Sequence, residues 1–310
     1  MNRLHSKHPL TLLFFPLICL LFSNAAWSEE TRFKPFILAQ TISSTDLNKT
    51  ISSVKSKIQN AGFGIAGEYS PYANTHIIVV SNQQLRQYAT QSENGVYGAI
   101  QRITITVSGR VTQVSFTNPT YMAHAYQFKT DLADITQALK DNIGFIKEYG
   151  SANGLTKDEL RDYQYKILMP DFTDKLELAE YNSQADALKA VNKALQKNEG
   201  NVSKVYQIDL HGKDETVIGV HMKENEFTDC SSDKFIMSKI DFKEIKSTGH
   251  LPYEIIVKKG NVYALFAEFR IAISFPDLSM VGDNSFFSIM CAPGSIKQAL
   301  TLGAGGELED

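Results

Sequence analysis

The residues best equipped for chemistry lie close together late in the chain: His250, Tyr253 and Glu254 in GHLPYE, then Glu268, Arg270 and Asp277 in AEFRIAISFPD. A histidine, carboxylates and an arginine can supply acid and base, or hold an anionic ligand with Arg270 as a two-pronged clamp. A structural reading stands beside this one. Arg270, flanked by Phe269 and Ile271, can simply pair with Glu254 or Glu268, and Asp277 after Pro276 can cap a turn. Ion pairs of that kind are more often structural than catalytic. The candidate ligand-binding set is therefore His250, Tyr253, Glu254, Arg270 and Asp277, with no catalytic role assigned.

Two further groups of polar and aromatic residues are weaker candidates. In NPTYMAHAYQF, Asn118, Tyr121, His124 and Tyr126 are neighbours in sequence. Tyr121, Ala125 and Phe128 fall at helical spacing, so an apolar helix face with His124 at its edge is expected. Tyr163 and Tyr165 in RDYQYKILMPDF, with the tyrosines near Pro71, either line a cleft between the halves of the chain or pack an interface.

Other chemistries find little footing. GFGIAG at residues 62–67 matches G-x-G-x-x-G letter for letter. A dinucleotide site needs a strand entering those glycines and a helix leaving them, because the pyrophosphate sits on that helix's N-terminus. Here the order is reversed. TDLNKTISSVKSKIQNAG carries Leu47, Ile51, Val54 and Ile58 on one helical face, and THIIVVSN downstream is a β-branched strand run. The chain has no G-x-S-x-G for a nucleophilic serine, and no HExxH, CxxC or Cys/His cluster for a metal. No cofactor and no metal are expected.

The elements that must position these residues recur in one order. Phe33 to Ile42 reads as a strand, the helix over Leu47 to Ile58 follows, then strands through GFGIAGEYS and THIIVV, a helical piece over Gln83 to Thr90, and the hairpin AIQRITITVSGRVTQVSFTNP turning at Ser108-Gly109. The second half repeats the plan. KLELAEY is a strand, Ser183 caps the helix SQADALKAVNKALQKNEG, VSKVYQIDL and TVIGVHM are strands, and PYEIIVKKGNVYALFAEFRIAISFP reads as a longer hairpin turning at Lys259-Gly260. In such a hairpin, paired position numbers summing to an even value near 520 put His250, Glu254 and Arg270 on one face, whereas an odd sum turns Arg270 away. SFTNPTYM and SFPDLSM look like matching hairpin exits.

The expected organisation is a signal peptide over residues 1–28, a first α+β module over 29–145, a connector over 146–174 with a short helix begun at Thr156, a second α+β module over 175–302, and a disordered glycine-rich acidic tail over 303–310. The fold class is α+β, each module being a mixed or antiparallel sheet with a long hairpin packed against helices.

Export follows from the first residues. Arg3 and Lys7 precede an apolar run from Leu10 to Phe22, and small residues around Ala26 and Ser28 offer a cleavage site. The run is short for a membrane span, and no later stretch reaches the roughly 18 to 20 residues a span needs. Cys19 lies inside the run, so lipidation is the minor alternative. Removing Arg3 and Lys7 leaves 29 basic against 34 acidic residues, a net charge of −5, with no basic tract to attract nucleic acid or an anionic membrane. Cys230 and Cys291 remain, and an oxidising compartment favours one structural disulfide over a reactive pair.

The helix ending in GF, the hairpin and the proline after it resemble the small bacterial α/β modules known as domain of unknown function family 302. The blocks SFTNPTYMAHAY, GHLPYEIIV and FRIAISFPDLSM make the whole mature chain similar to an exported two-module form. That resemblance implies no activity, substrate or site residue. The expectation is an exported, soluble binding or assembly protein whose partner is a small molecule or a protein, with a homodimer through sheet edges left open. The alternatives are an enzyme with a polar site around His250, Glu254, Arg270 and Asp277, and a thiol redox protein using Cys230 and Cys291.

Overall fold

The strand expected over residues 33–42 is broken by Lys34-Pro35 into β1 (Arg32–Phe33) and β2 (Phe36–Ile42), since proline has no N–H to give a ladder. The break was found in a computed structural model that describes residues 30–224 and 229–308; the signal-peptide expectation lies outside them. Helix α1 (Leu47–Asn60) starts where the Asp46 side chain accepts the Lys49 N–H at 3.0 Å and buries Val54 and Ile58. Gly62, with φ +77°, ends that turn and leads into β3 (Gly64–Tyr69). The glycine motif thus sits between a helix and a strand, the wrong order for a dinucleotide. Next come β4 (Thr75–Ser81), α2 (Gln83–Gln91), the hairpin β5 (Gln101–Ser108) and β6 (Val111–Thr117), then α3 (Pro119–Ala125), α4 (Ala133–Ile143) and β7 (Lys147–Tyr149).

The connecting segment holds β8 (Leu155–Thr156) and α5 (Lys157–Arg161), the latter opened by a reciprocal Thr156/Glu159 capping box. The later half contains β9 (Lys175–Glu180), α6 (Gln184–Gln196) capped by Ser183, β10 (Val202–Leu210), β11 (Glu215–Met222), α7 (Asp233–Ile240), β12 (Tyr253–Lys258), β13 (Asn261–Leu265), α8 (Ala267–Ser274) and α9 (Ala292–Gly303).

The fold is α+β with antiparallel sheets. The strand order is β3-β4-β5-β6-β2-β7 in one sheet and β10-β11-β12-β13-β9 in the other. Leaving β7 aside, each half places its first strand beside its fifth and runs the second to fifth in sequence. The likeness extends to irregularities: β3 has a register shift between Ile65 and Gly67, and β10 has one between Lys204 and Tyr206. These two bulges meet, for a Cβ on Gly67 would run into the Val205 carbonyl. Helices α1 and α4 pack on each other against the first sheet, as α6 and α9 do against the second. From Thr31 onward the chain divides into no smaller unit, and both sheets feed one continuous apolar core.

The second hairpin is shorter than its apolar composition predicts. It pairs Val257 with Val262 and Lys258 with Asn261, and then AEFRIAIS forms α8. Ala267, Arg270, Ile271 and Ser274 recur at helical spacing, and this period outweighs the β-branched content. SFTNPTYM therefore leads out of a strand into α3, while SFPDLSM leaves a helix; the counterpart of α3 is α8. The glycines at the start of the expected tail are tied in, since Gly303 ends α9 and the Gly306 N–H donates to the Thr301 carbonyl at 2.9 Å.

Candidate functional site

Strand β5 alternates Arg102, Thr104 and Thr106 with Ile103 and Ile105, and neither face meets water. The isoleucines join the apolar core. The polar set looks toward the later half, where Thr106 and Thr248 hydroxyls lie 3.0 Å apart and the Gln113 amide donates to the Glu244 carbonyl at 2.9 Å. Arg102 is the largest member of this face.

Glu254 lies between two guanidinium groups. Arg102 Nη2 pairs with its Oε1, and Arg270 Nη2 stands 3.4 Å from its Oε2. All three side chains are about 2% exposed. Arg270 is fixed further: Nη1 donates to the Tyr126 hydroxyl at 3.0 Å, and Nη2 to the carbonyls of His250 at 2.7 Å and Pro252 at 3.0 Å. Two positive groups face one negative group in a site without water contact, and both arginine Nε atoms are buried without a hydrogen-bond partner. Burial, with Arg270 beside it, pulls the Arg102 guanidinium down to about 10.

His250 joins the same assembly. Its Nδ1 lies 3.0 Å from the Ser274 hydroxyl and its Nε2 3.0 Å from the Tyr253 hydroxyl. Burial, then the charges of Arg270 and Arg102, hold the imidazole well below its usual range, so it is neutral at physiological pH. One ring nitrogen then donates and the other accepts. The Tyr253 ring also lies 5.5 Å under the Arg270 guanidinium carbon.

Four of the five expected site residues, His250, Tyr253, Glu254 and Arg270, therefore converge. The paired sum in the hairpin is 519, odd, yet Arg270 still meets Glu254, because it stands on α8 and the strand-register rule does not govern it. Asp277 is elsewhere: it accepts from the Ser151 hydroxyl at 3.0 Å and from the Ala152 N–H, tying the connector to the later half. Glu268 is half-buried on α8 and takes no part in these ion pairs.

No family model, no curated protein and no solved structure matches the chain. Its chemistry must be read from its own geometry.

That geometry separates a sealed cluster from an open cleft. None of the clefts described below is lined by His250, Glu254 or Arg270, and apart from the Arg270 Nε their polar heads are engaged with one another, with the Tyr126, Tyr253 and Ser274 hydroxyls, or with main chain. A cleft of about 430 Å³ opens instead beside the connector, with Tyr163, Tyr165 and Asp277 in its walls. The tyrosine at Pro71 is not part of it; Tyr72 lines a separate hollow of about 310 Å³ with Thr75, Met237 and Asp241. Asp241, at the end of α7, accepts the Ser247 N–H at 2.9 Å, and burial raises its carboxyl to about 7. Cys230 and Cys291 are at disulfide distance, with Cα atoms 5.8 Å apart.

Sequence reasoning missed Arg102, Ser274, Asp241 and Tyr206, whose hydroxyl donates to Glu254 Oε1 at 3.5 Å. Arg102 left one faint signal, a long basic residue inside the β-branched run QRITITV, which strict alternation assigns to solvent. Among the described residues no three His, Cys, Asp or Glu side chains group to hold a metal, and no helix is long and apolar enough to cross a membrane.

Proposed function

We propose that this is an exported binding protein built from two like halves, with its ligand site in the connector cleft and the Arg102–Glu254–Arg270 cluster as the lock that joins the halves. The carrying observation is the contrast in access. A reacting molecule needs to touch the groups that transform it, and His250 and Glu254 are 0% and 4% exposed. The connector cleft is open and lies within the usual size range of small-molecule sites, roughly 300–1,000 Å³.

Export rests on the leader's charge and apolar run, and the cysteine pair at disulfide distance agrees with an oxidising compartment. The repeated strand order and the matched bulges support duplication, and with it the two-module part of the resemblance to domain of unknown function family 302. Assembly through a second copy is the other arm of the same reading.

Native mass spectrometry of the mature protein, purified from the exported fraction without added ligand, tests this. An adduct of small-molecule mass or a dimer is the expected result. A bare monomer, combined with a turnover that disappears in a folded His250→Gln variant, would overturn it in favour of an enzyme.

A further inference from the structure

We propose that the connector cleft takes a saccharide unit bearing a carboxylate. This inference rests on the binding reading above and adds the ligand's class.

The aromatic walls are immobilised before any ligand arrives. The Tyr163 hydroxyl donates to the Ala272 carbonyl at 3.1 Å, and the Tyr165 hydroxyl to the Leu278 carbonyl. Tyr165 is also braced by Phe286, with ring centroids 4.7 Å apart. With their hydroxyls spent on main chain and their rings half-buried, these tyrosines offer ring surface and no acid or base. A pyranose ring, with apolar C–H faces and polar edges, matches such a platform. An amphipathic ring gains area there at little entropic cost to the protein, since tyrosine has few rotatable bonds.

Two amide side chains also face the cleft. Gln164 and Asn153 both line it, and Gln164 uses its amide N–H on the Met169 carbonyl at 2.7 Å, which leaves its side-chain oxygen as an acceptor. Amides that both donate and accept suit hydroxyl groups, which do the same.

Charge then selects among saccharides. Of the three charged side chains in the wall, two are spoken for. Arg32 pairs with Glu159 at 2.8 Å and donates to the carbonyls of Asn153 and Gly154. Asp277 accepts from Ser151 and Ala152 and has Lys243 at 3.9 Å. Lys166 is the third. It is exposed, its ammonium lies 5.4 Å over the Tyr165 ring, and among the described residues it has no carboxylate within ion-pair distance. A single ammonium without a carboxylate partner, beside the tyrosine rings, recognises one carboxylate on a sugar ring bound there. A nucleotide's phosphates call for several cations or a nest of backbone N–H groups, and the wall provides neither.

The test uses the full mature chain, titrated by isothermal calorimetry and by backbone-amide NMR with trigalacturonate and with its neutral counterpart galactotriose. Amide shifts are expected around residues 151–166, with the acidic trisaccharide bound about fivefold tighter at low salt and the preference shrinking at about 0.15 M salt. Lys166→Gln, an exposed change that spares the fold, should abolish the preference while leaving weak binding of both sugars. Gln164→Ala should weaken both alike. Equal affinities in the wild type would overturn the charge argument. If neither sugar binds but fragments from a small-molecule library shift the same amides, the saccharide class is wrong and the binding reading stands. If nothing shifts them, the binding reading itself fails.

Discussion

Arg102 and Glu254 hold the same rank in the two halves, each the second residue of its half's fourth sheet strand, β5 and β12, and their side chains form a buried ion pair. Arg270 then adds a second guanidinium from α8. A buried ion pair is weak support for stability as such, because desolvation consumes much of the Coulomb gain, but stripping it of one partner is costly. The cluster joins Arg102 of the first sheet to Glu254 of the second and to Arg270 of α8.

Glu254→Ala should accordingly destabilise by roughly 3–5 kcal/mol in urea unfolding, since two buried guanidinium groups lose their carboxylate. Replacing all three residues together by Met, Leu and Met should return stability to within roughly 1–2 kcal/mol of wild type. A Glu254→Ala cost below about 1 kcal/mol would show the cluster to be idle.

The Cys230–Cys291 pair spans a sequence separation of 61. Closing so long a loop in the unfolded chain is worth about 4 kcal/mol on the chain-entropy view. The native protein should show no free thiols to a thiol reagent until it is unfolded with reductant, and the double Cys→Ser variant should lose roughly 2–4 kcal/mol. A pair that mild reductant opens and air recloses, with the fold intact, would bring back the redox reading.

Asp241 gives a pH signature between the acid and neutral ranges. Its folded carboxyl titrates near 7 against 3.8 for the ordinary group. Between those values the folded state holds a proton that the unfolded state has released, so stability falls as pH rises through this window and is flat above it. Asp241→Asn keeps an acceptor for the Ser247 N–H and needs no proton. It should raise stability at pH 8 by roughly 1–2 kcal/mol and remove that slope. Thermal melts of both proteins from pH 4 to pH 8 decide the matter; parallel curves would refute it.

The histidines act in the opposite sense. Burial, then the Lys223 charge, lowers His221 to about 4 from 6.5, and burial, then the Arg270 and Arg102 charges, holds His250 well below its usual range. An unfolded chain takes up these protons first, so their contribution is complete above about pH 6.5 and is lost as pH falls toward their folded values. His221→Gln should flatten the acid limb of the same melts, leaving the Asp241 slope exposed. An unchanged acid limb would place the acid sensitivity on other groups.

Local features were legible because their causes are local. Asp46 and Ser183 start helices by accepting nearby N–H groups, Thr156 and Glu159 cap α5 reciprocally, and Gly62 takes the positive φ that ends a helix. These act within four residues, so the sequence alone determines them, along with the α+β class and the dismissal of GFGIAG as a nucleotide site. His250, Glu254 and Arg270 meet despite the odd hairpin sum of 519, which in a continued strand would turn Arg270 away.

The tertiary structure decided what lies opposite each face. Thr104, Thr106 and Arg102 alternate as a solvent-facing set would, yet they are buried because another layer covers them, and hydropathy cannot say what a polar face will meet. AEFRIAIS has enough β-branched residues for a strand, but in α8 its Arg270 reaches Tyr126 from the first half and Glu254 from the second. The helical period permitted α8, and the tertiary packing supplied its guanidinium with partners. The same packing closed the cluster that looked reactive in sequence and left open the connector cleft, where fixed tyrosine rings and one uncommitted lysine face solvent.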